Sequence, residues 1–185
     1  MATSNLVPEL KTKVVRGIEL PIKKFPNADF YLTSLVPDNF VEHCKYLKED
    51  FIVREDDVYI CTYPRSGTNW THEIVRMLLN GKAEYVELFS FLEILPAERL
   101  ENMPSPRVFC SHLPYSFLPP KITEKAKLIH VSRNPKDIVV SLHNVFKNIS
   151  EIGDWKNWYT VSQNEKFDIL YEERMKNSSL KYRFT

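Results

Sequence analysis

The junction at residues 58–70 constrains this chain more than any other feature. The apolar run Val58-Tyr59-Ile60-Cys61-Thr62 has the length and composition of a buried strand. Tyr63-Pro64-Arg65-Ser66-Gly67-Thr68 then turns the chain, and a helical pattern begins near Asn69. A strand, a tight turn and a helix start leave free amides at the helix N-terminus. Those amides and the helix dipole favour a phosphate there. Ser66, Thr68 and Asn69 add side-chain donors, and Arg65 adds a fixed positive charge. The segment is therefore expected to hold a phosphorylated ligand. The plain alternative is an ordinary strand-to-helix turn with Gly67 at positive φ. It is not a Walker A loop, because Gly67 stands alone and no lysine follows it.

The same layout recurs downstream. Lys127-Leu128-Ile129-His130-Val131 reads as a strand, and Arg107-Val108-Phe109-Cys110 as another. After residue 131, Asn134 is a natural N-cap, Pro135 suits the first helical position and Asp137 complements the dipole. Arg133 precedes this helix start, and Ser141 lies among the apolar positions Ile138, Leu142 and Val145. This is a second candidate anion site. Three strands that each feed helices predict an α/β fold with a mainly parallel sheet flanked by helices. Both sites would lie at strand carboxyl ends on one edge, a geometry suited to one ligand with two separated phosphates.

Other elements are readable with less force. The spacing predicts a short helix over 38–47 with Phe40, Cys44 and Leu47 on one side. In the helix after residue 69, Trp70, Ile74, Met77 and Leu78 form the expected core-facing stripe, ended by Asn80-Gly81. Residues 87–100 are expected to be partly helical with a break at Pro96. Residues 1–37 carry Pro8, Pro21, Pro26 and Pro37 and read as an extended arm over the surface. A last helix presents Phe167, Leu170, Tyr171 and Met175, capped by Thr160 with Gln163 or by Ser162 with Glu165.

Length, 185 residues, suits a single domain spanning 1–185. A formal net charge of +1 gives no field favouring nucleic acid or acidic membranes. The three cysteines, Cys44, Cys61 and Cys110, form no CxxC pair, which fits a reduced setting better than a disulfide framework. The first residues lack the apolar stretch of a signal peptide, and no run approaches a membrane span. A cytoplasmic protein is expected, with no membrane and no nucleic acid among its partners. No His/Cys/carboxylate cluster suggests a metal, and no metal is expected.

The loop Tyr63-Pro64-Arg65-Ser66-Gly67-Thr68-Asn69-Trp70 resembles the signature of the cytosolic sulfotransferases. So do Arg133-Asn134-Pro135-Lys136-Asp137 with Ser141, and Gly153-Asp154-Trp155-Lys156-Asn157 running on to Asp168. Three motifs in the family's order are far more specific than one. Met103-Pro104-Ser105-Pro106-Arg107 and Ser111-His112-Leu113-Pro114-Tyr115 are worded most like the amine-sulfotransferase branch. The resemblance implies a P-loop-like sulfotransferase fold and 3′-phosphoadenosine 5′-phosphosulfate as donor. It implies a phenol, alcohol or amine as acceptor. By that analogy Arg65, Ser66, Gly67, Thr68 and Asn69 hold the 5′-phosphosulfate, Trp70 stacks on adenine, and Arg133 with Ser141 grips the 3′-phosphate. His112 aligns with the catalytic base, and Arg65 faces the leaving phosphate. The plain alternative for His112 is a histidine satisfied at a strand end. Lys156, Thr160, Val161 and Glu165 match the family's dimerisation pattern, so a homodimer is implied as well.

The chain departs from that family in three ways. Arg65 stands where the family has lysine, and Cys110 replaces a second lysine. A long central segment of the family is missing before residue 153, so 153–185 reads as the family tail joined after an internal deletion. That segment ends in an Arg-Lys-Gly triplet that binds the 3′-phosphate, where this chain has Asn148-Ile149-Ser150. Lost packing partners leave apolar faces open, and the donor site loses a cation. The alternative function is a catalytically impaired form that only binds nucleotide or dimerises with relatives. A nucleotide kinase or NTPase is a further alternative, disfavoured by the absent Gly-Lys-Ser/Thr ending.

Overall fold

A computed structural model describes residues 9–15, 18–24, 31–33, 39–85, 89–146 and 159–182. The chain forms two compact units, residues 1–63 with 68–131, and residues 64–67 with 132–185.

The first unit is built on a parallel sheet of β4 (Val58–Thr62), β5 (Val108–Ser111) and β6 (Lys127–Val131), in the order β5-β4-β6. Val58 pairs with Val108 on one side and with Lys127 on the other. The central strand is buried on both faces. Tyr59 turns to one face, with Phe51, Leu92, Leu100 and Phe109 and with Phe40, Cys44 and Leu47 of α1 (Phe40–Glu49). Val58 and Ile60 turn to the other face, where Val75 of α2 (Thr68–Asn80) covers them. This period-2 alternation is what lets a short strand serve two layers. The strands and α1 fall where the sequence places them.

A buried ion pair anchors the amino end of the sheet. Arg107 donates from Nε to Asp57 Oδ1 at 2.7 Å and from Nη2 to Oδ2 at 2.6 Å, a bidentate fork. The guanidinium also donates to the carbonyls of Leu100 and Ile52 and lies over the rings of Phe51 and Phe109, which meet edge to face beside it. Every face of the charge is therefore compensated, which a fully buried arginine requires.

Three expectations change. On α2, Trp70, Ile74 and Leu78 are exposed, and the buried positions are Thr68, His72 and Val75. The stripe was placed on the wrong side because His72 and Thr68, both polar, supply the inward face. Helix α3 (Ala97–Asn102) begins after Pro96, which is its N-cap and not a break within a longer helix. Within the first 37 residues, β1 (Glu9–Val15), β2 (Ile18–Lys24) and β3 (Tyr31–Thr33) form an antiparallel sheet. Pro21 pairs with Thr12 just beyond the doubly paired residues 22–24, where a missing N–H is tolerated. Gly81 has φ +66°, the left-handed stop expected after α2.

A short α4 (Ile122–Lys125) precedes β6. The second unit contains α5 (Pro135–Phe146) and α6 (Val161–Met175). The Asn134 side chain accepts from the Lys136 amide at 3.0 Å, as an N-cap does. Lys136 joins the helices through Asp168 and Asn164 and lies over the Phe167 ring. Thr160 and Gln163 form the capping box of α6, the first of the two pairs expected there. No residue of α6 is buried.

Candidate functional site

Thr62 ends β4 and is the pivot of the first unit's polar edge. Its hydroxyl lies 2.6 Å from that of Thr68, the first residue of α2. Its carbonyl accepts a hydrogen bond from His112 Nδ1 at 2.9 Å. His112 follows β5 directly, and because β4 and β5 are parallel their carboxyl ends meet there. With the proton on Nδ1, the ring's Nε2 carries the lone pair, the form a general base needs. Burial lowers the His112 pKa, partly offset by the bond to Thr62, so the ring is neutral near pH 7. The Phe91 ring lies 5.1 Å from it. The His112 amide donates to Glu93 Oε1 at 2.8 Å.

Helix α2 has no acidic residue in its first turn, so no carboxylate competes for its free amides. Asn69 and Trp70 lie exposed in that turn, Trp70 at 82%.

The second unit brings the other candidates together. Arg65 has φ +69° and Gly67 φ +110°, with Ser66 between them at ordinary φ. Alternation of this kind curls successive amides toward one side, the backbone pattern of anion cradles. Arginine at positive φ is uncommon and strained, and such outliers cluster at functional loops. Ser66 is 6% exposed, and its hydroxyl has no hydrogen-bond partner among the described residues. An orphaned donor inside a cationic loop suits an anionic ligand. Arg65 Nε donates to Ser141 Oγ at 3.0 Å, and Arg133 Nη1 donates to the Arg65 carbonyl at 3.3 Å. The two sequence-separated anion motifs therefore share one cluster of Arg65, Ser66, Arg133 and Ser141.

Residues 55–152, more than half of the chain, match the family described as the sulfotransferase domain. The chain belongs to the sulfotransferase family. The amine sulfotransferase of Oryctolagus cuniculus is 41% identical over 110 residues, which cover 55% of this chain and 36% of that protein. The sulfotransferase 1A1 of Mus musculus is 37% identical over 150 residues, covering 70% of this chain and 52% of that protein. This sulfotransferase chain thus spans about half or less of these two relatives. A putative steroid sulphotransferase of Arabidopsis thaliana has the same fold, with a TM-score of 0.68 and 18% identity over 94% of this chain and 93% of that one. A mouse sulfotransferase complexed with PAP superposes with a TM-score of 0.60, at 19% identity over 85% of this chain and 96% of that one.

Cys110, which stands in place of a family lysine, brings no charge to this member. Burial pushes its thiol up to about 12, and those of Cys44 and Cys61 likewise. All three are free thiols. Among the described residues no group of His, Cys, Asp and Glu is arranged to hold a metal. No helix of the described residues is long and apolar enough to cross a membrane. Of the four residues that match the family's dimerisation pattern, Lys156 lies outside the described residues, Thr160 caps α6, and Val161 and Glu165 are exposed.

Sequence reasoning missed Glu93 and Thr62. Glu93 interrupts the apolar run Phe89-Ser90-Phe91-Leu92-Glu93-Ile94-Leu95, and a lone carboxylate in such a run is the available signal. Thr62 is the polar last residue of an apolar strand, a position that points side chains at the site edge.

Proposed function

We propose that this chain transfers a sulfonate group from 3′-phosphoadenosine 5′-phosphosulfate to a hydroxyl or amine of a small acceptor. The observation that carries the reading is the shared cluster of Arg65, Ser66, Arg133 and Ser141, with its unpartnered buried hydroxyl. Ser66, Gly67 and the first amides of α2, with Thr68 and Asn69, would hold the 5′-phosphosulfate. Arg133 and Ser141 would hold the 3′-phosphate, and the exposed Trp70 ring would stack on adenine.

His112 Nε2 would take the proton that the acceptor loses as its oxygen or nitrogen attacks sulfur. The sulfur–oxygen bond to the phosphate breaks in the same displacement, and negative charge grows on that phosphate. Arg65 would stabilise it as a fixed charge, since a guanidinium holds its proton too tightly to donate it. Transfer from labelled donor to a panel of phenols, alcohols and amines tests the claim. Turnover that is lost in His112→Gln supports it, and absence of transfer to every acceptor refutes it.

A second reading has its own support. The exposed apolar positions of α2 and α6 and the short span against relatives favour a form that binds the nucleotide without turnover, or that pairs with relatives through Thr160, Val161 and Glu165. Thermal stabilisation by 3′,5′-adenosine bisphosphate together with no transfer would select it.

A further inference from the structure

Glu93 is 3% exposed, and its Oε1 accepts the backbone N–H of His112 at 2.8 Å. On the side of β5 away from β4, Cys110 donates its amide to the Ser90 carbonyl and accepts from the Leu92 amide, and two residues on the His112 amide faces the same side and meets the Glu93 side chain in place of a backbone carbonyl. The carboxylate takes the place of that missing ladder acceptor. We infer that Glu93 is a positioning residue: it fixes the backbone of His112 while Thr62 fixes the ring, so that Nε2 is left as the acceptor of the incoming proton. The inference rests on the transfer reading for its catalytic meaning, but the hold on His112 stands on geometry alone.

A purely structural need is an inexpensive one at such a position, since a backbone carbonyl or a water satisfies an amide. A buried carboxylate is an expensive solution. The titratable groups facing Glu93 are the thiols of Cys44 in α1, Cys61 in β4 and Cys110 in β5, and none of them is a cation. Burial pushes its pKa up to about 7. The amides of His112 and of Glu93 itself pull it back, as does the nearby Ser111 hydroxyl. A buried carboxyl bonded to the backbone of the residue read as the base, where a simple carbonyl would satisfy the amide, is a mark of a site and not of a scaffold.

The test is nitrogen-15 NMR of the His112 ring in the full chain, for the wild type and for Glu93→Gln, Glu93→Asp and Glu93→Leu. The glutamine retains an acceptor oxygen, so wild type and E93Q should share the Nδ1–H tautomer. E93D, which is too short to reach, and E93L should show mixed tautomers and a titration moved toward that of free histidine. Kinetics supply a second readout. kcat should fall about tenfold to a hundredfold in E93D and E93L, the scale of a misplaced catalytic group. KM for the donor should change less than about threefold, because donor binding is untouched. E93Q should restore kcat. If E93L fails to fold, E93D carries the comparison. His112 resonances in E93D that match the wild type would overturn the inference. A wild type without transfer overturns the transfer reading, while the NMR comparison still decides the positioning.

Discussion

At the residue scale, two titratable groups in the first unit are displaced in opposite directions, and each makes a signed prediction. His112 has its pKa lowered, so its neutral form persists to lower pH than in free histidine. If Nε2 is the base, transfer should be flat as pH falls through about 6.5 and should drop only below it. A pH–rate profile with its acid limb at or above the ordinary histidine value would contradict that role. Glu93 is raised from 4.5 to about 7. The native state therefore binds its proton more tightly than the unfolded chain, and stability falls as pH rises from about 4.5 through about 7. Glu93→Gln removes the titration. Unfolding free energies of E93Q and wild type in urea should therefore diverge in favour of E93Q between pH 5 and 8, by at most about 3 kcal/mol. Equal pH dependence of the two proteins would show that the carboxyl does not titrate there. Neither displacement was legible in the sequence. His112 was flagged by its motif, but the Thr62 carbonyl that fixes its tautomer lies fifty positions away in the chain. Arg65, Ser66 and Arg133 were legible as candidate anion ligands, because a helix start advertises itself locally through caps and glycine, whereas Ser141, inside α5, was a candidate through the family resemblance alone.

At the element scale, what was legible follows from how far each signal reaches. Strands β4 and β6 and the caps of α5 and α6 depend on consecutive residues, and they fall where the pattern puts them. The inward face of α2 depends on what packs against it. Trp70, Ile74 and Leu78 have the right spacing for burial, yet the sheet takes Thr68, His72 and Val75. Period alone names a stripe without naming the neighbour. The Asp57–Arg107 fork was equally invisible, because Asp57 looks like an ordinary residue at a turn before a strand. It closes the amino ends of β4 and β5, with both groups buried. Asp57→Ala leaves a desolvated guanidinium against the Phe51 and Phe109 rings, and should cost about 3–5 kcal/mol. Chemical denaturation of the variant measures it, and a loss below about 1 kcal/mol would mean that the charge finds water. Thr160→Ala should lower the helicity of α6 by removing the hydroxyl that accepts from the Gln163 amide, at about 1 kcal/mol, while the Gln163 side chain still accepts the amide of residue 160. No residue of α6 is buried, so packing cannot compensate.

At the scale of the whole molecule, an apolar stripe with ideal helical spacing that stays open to solvent is the mark of a fold with fewer layers than its helices were shaped for. The sheet says the same. β6 is an edge strand with Leu128 39% exposed, whereas parallel strands are ordinarily covered on both faces. A chain spanning 36% and 52% of two full-length relatives is where such uncovered surface is expected. The paired substitution Ile74→Glu with Leu78→Glu distinguishes an open face from a covered one. On a covered face two buried carboxylates would unfold the unit. On an open face they sit in water, and they add solvation to a patch that otherwise drives association. The double variant should keep its unfolding free energy within about 0.5 kcal/mol of wild type, as exposed substitutions generally do. It should also sediment as a smaller species and bind less of a hydrophobic dye. Trp70 is left in place, so the thermal shift with 3′,5′-adenosine bisphosphate should be unchanged. Loss of the cooperative transition in this variant would place Ile74 and Leu78 against a partner surface, and the missing layers would then have to be supplied by a second chain.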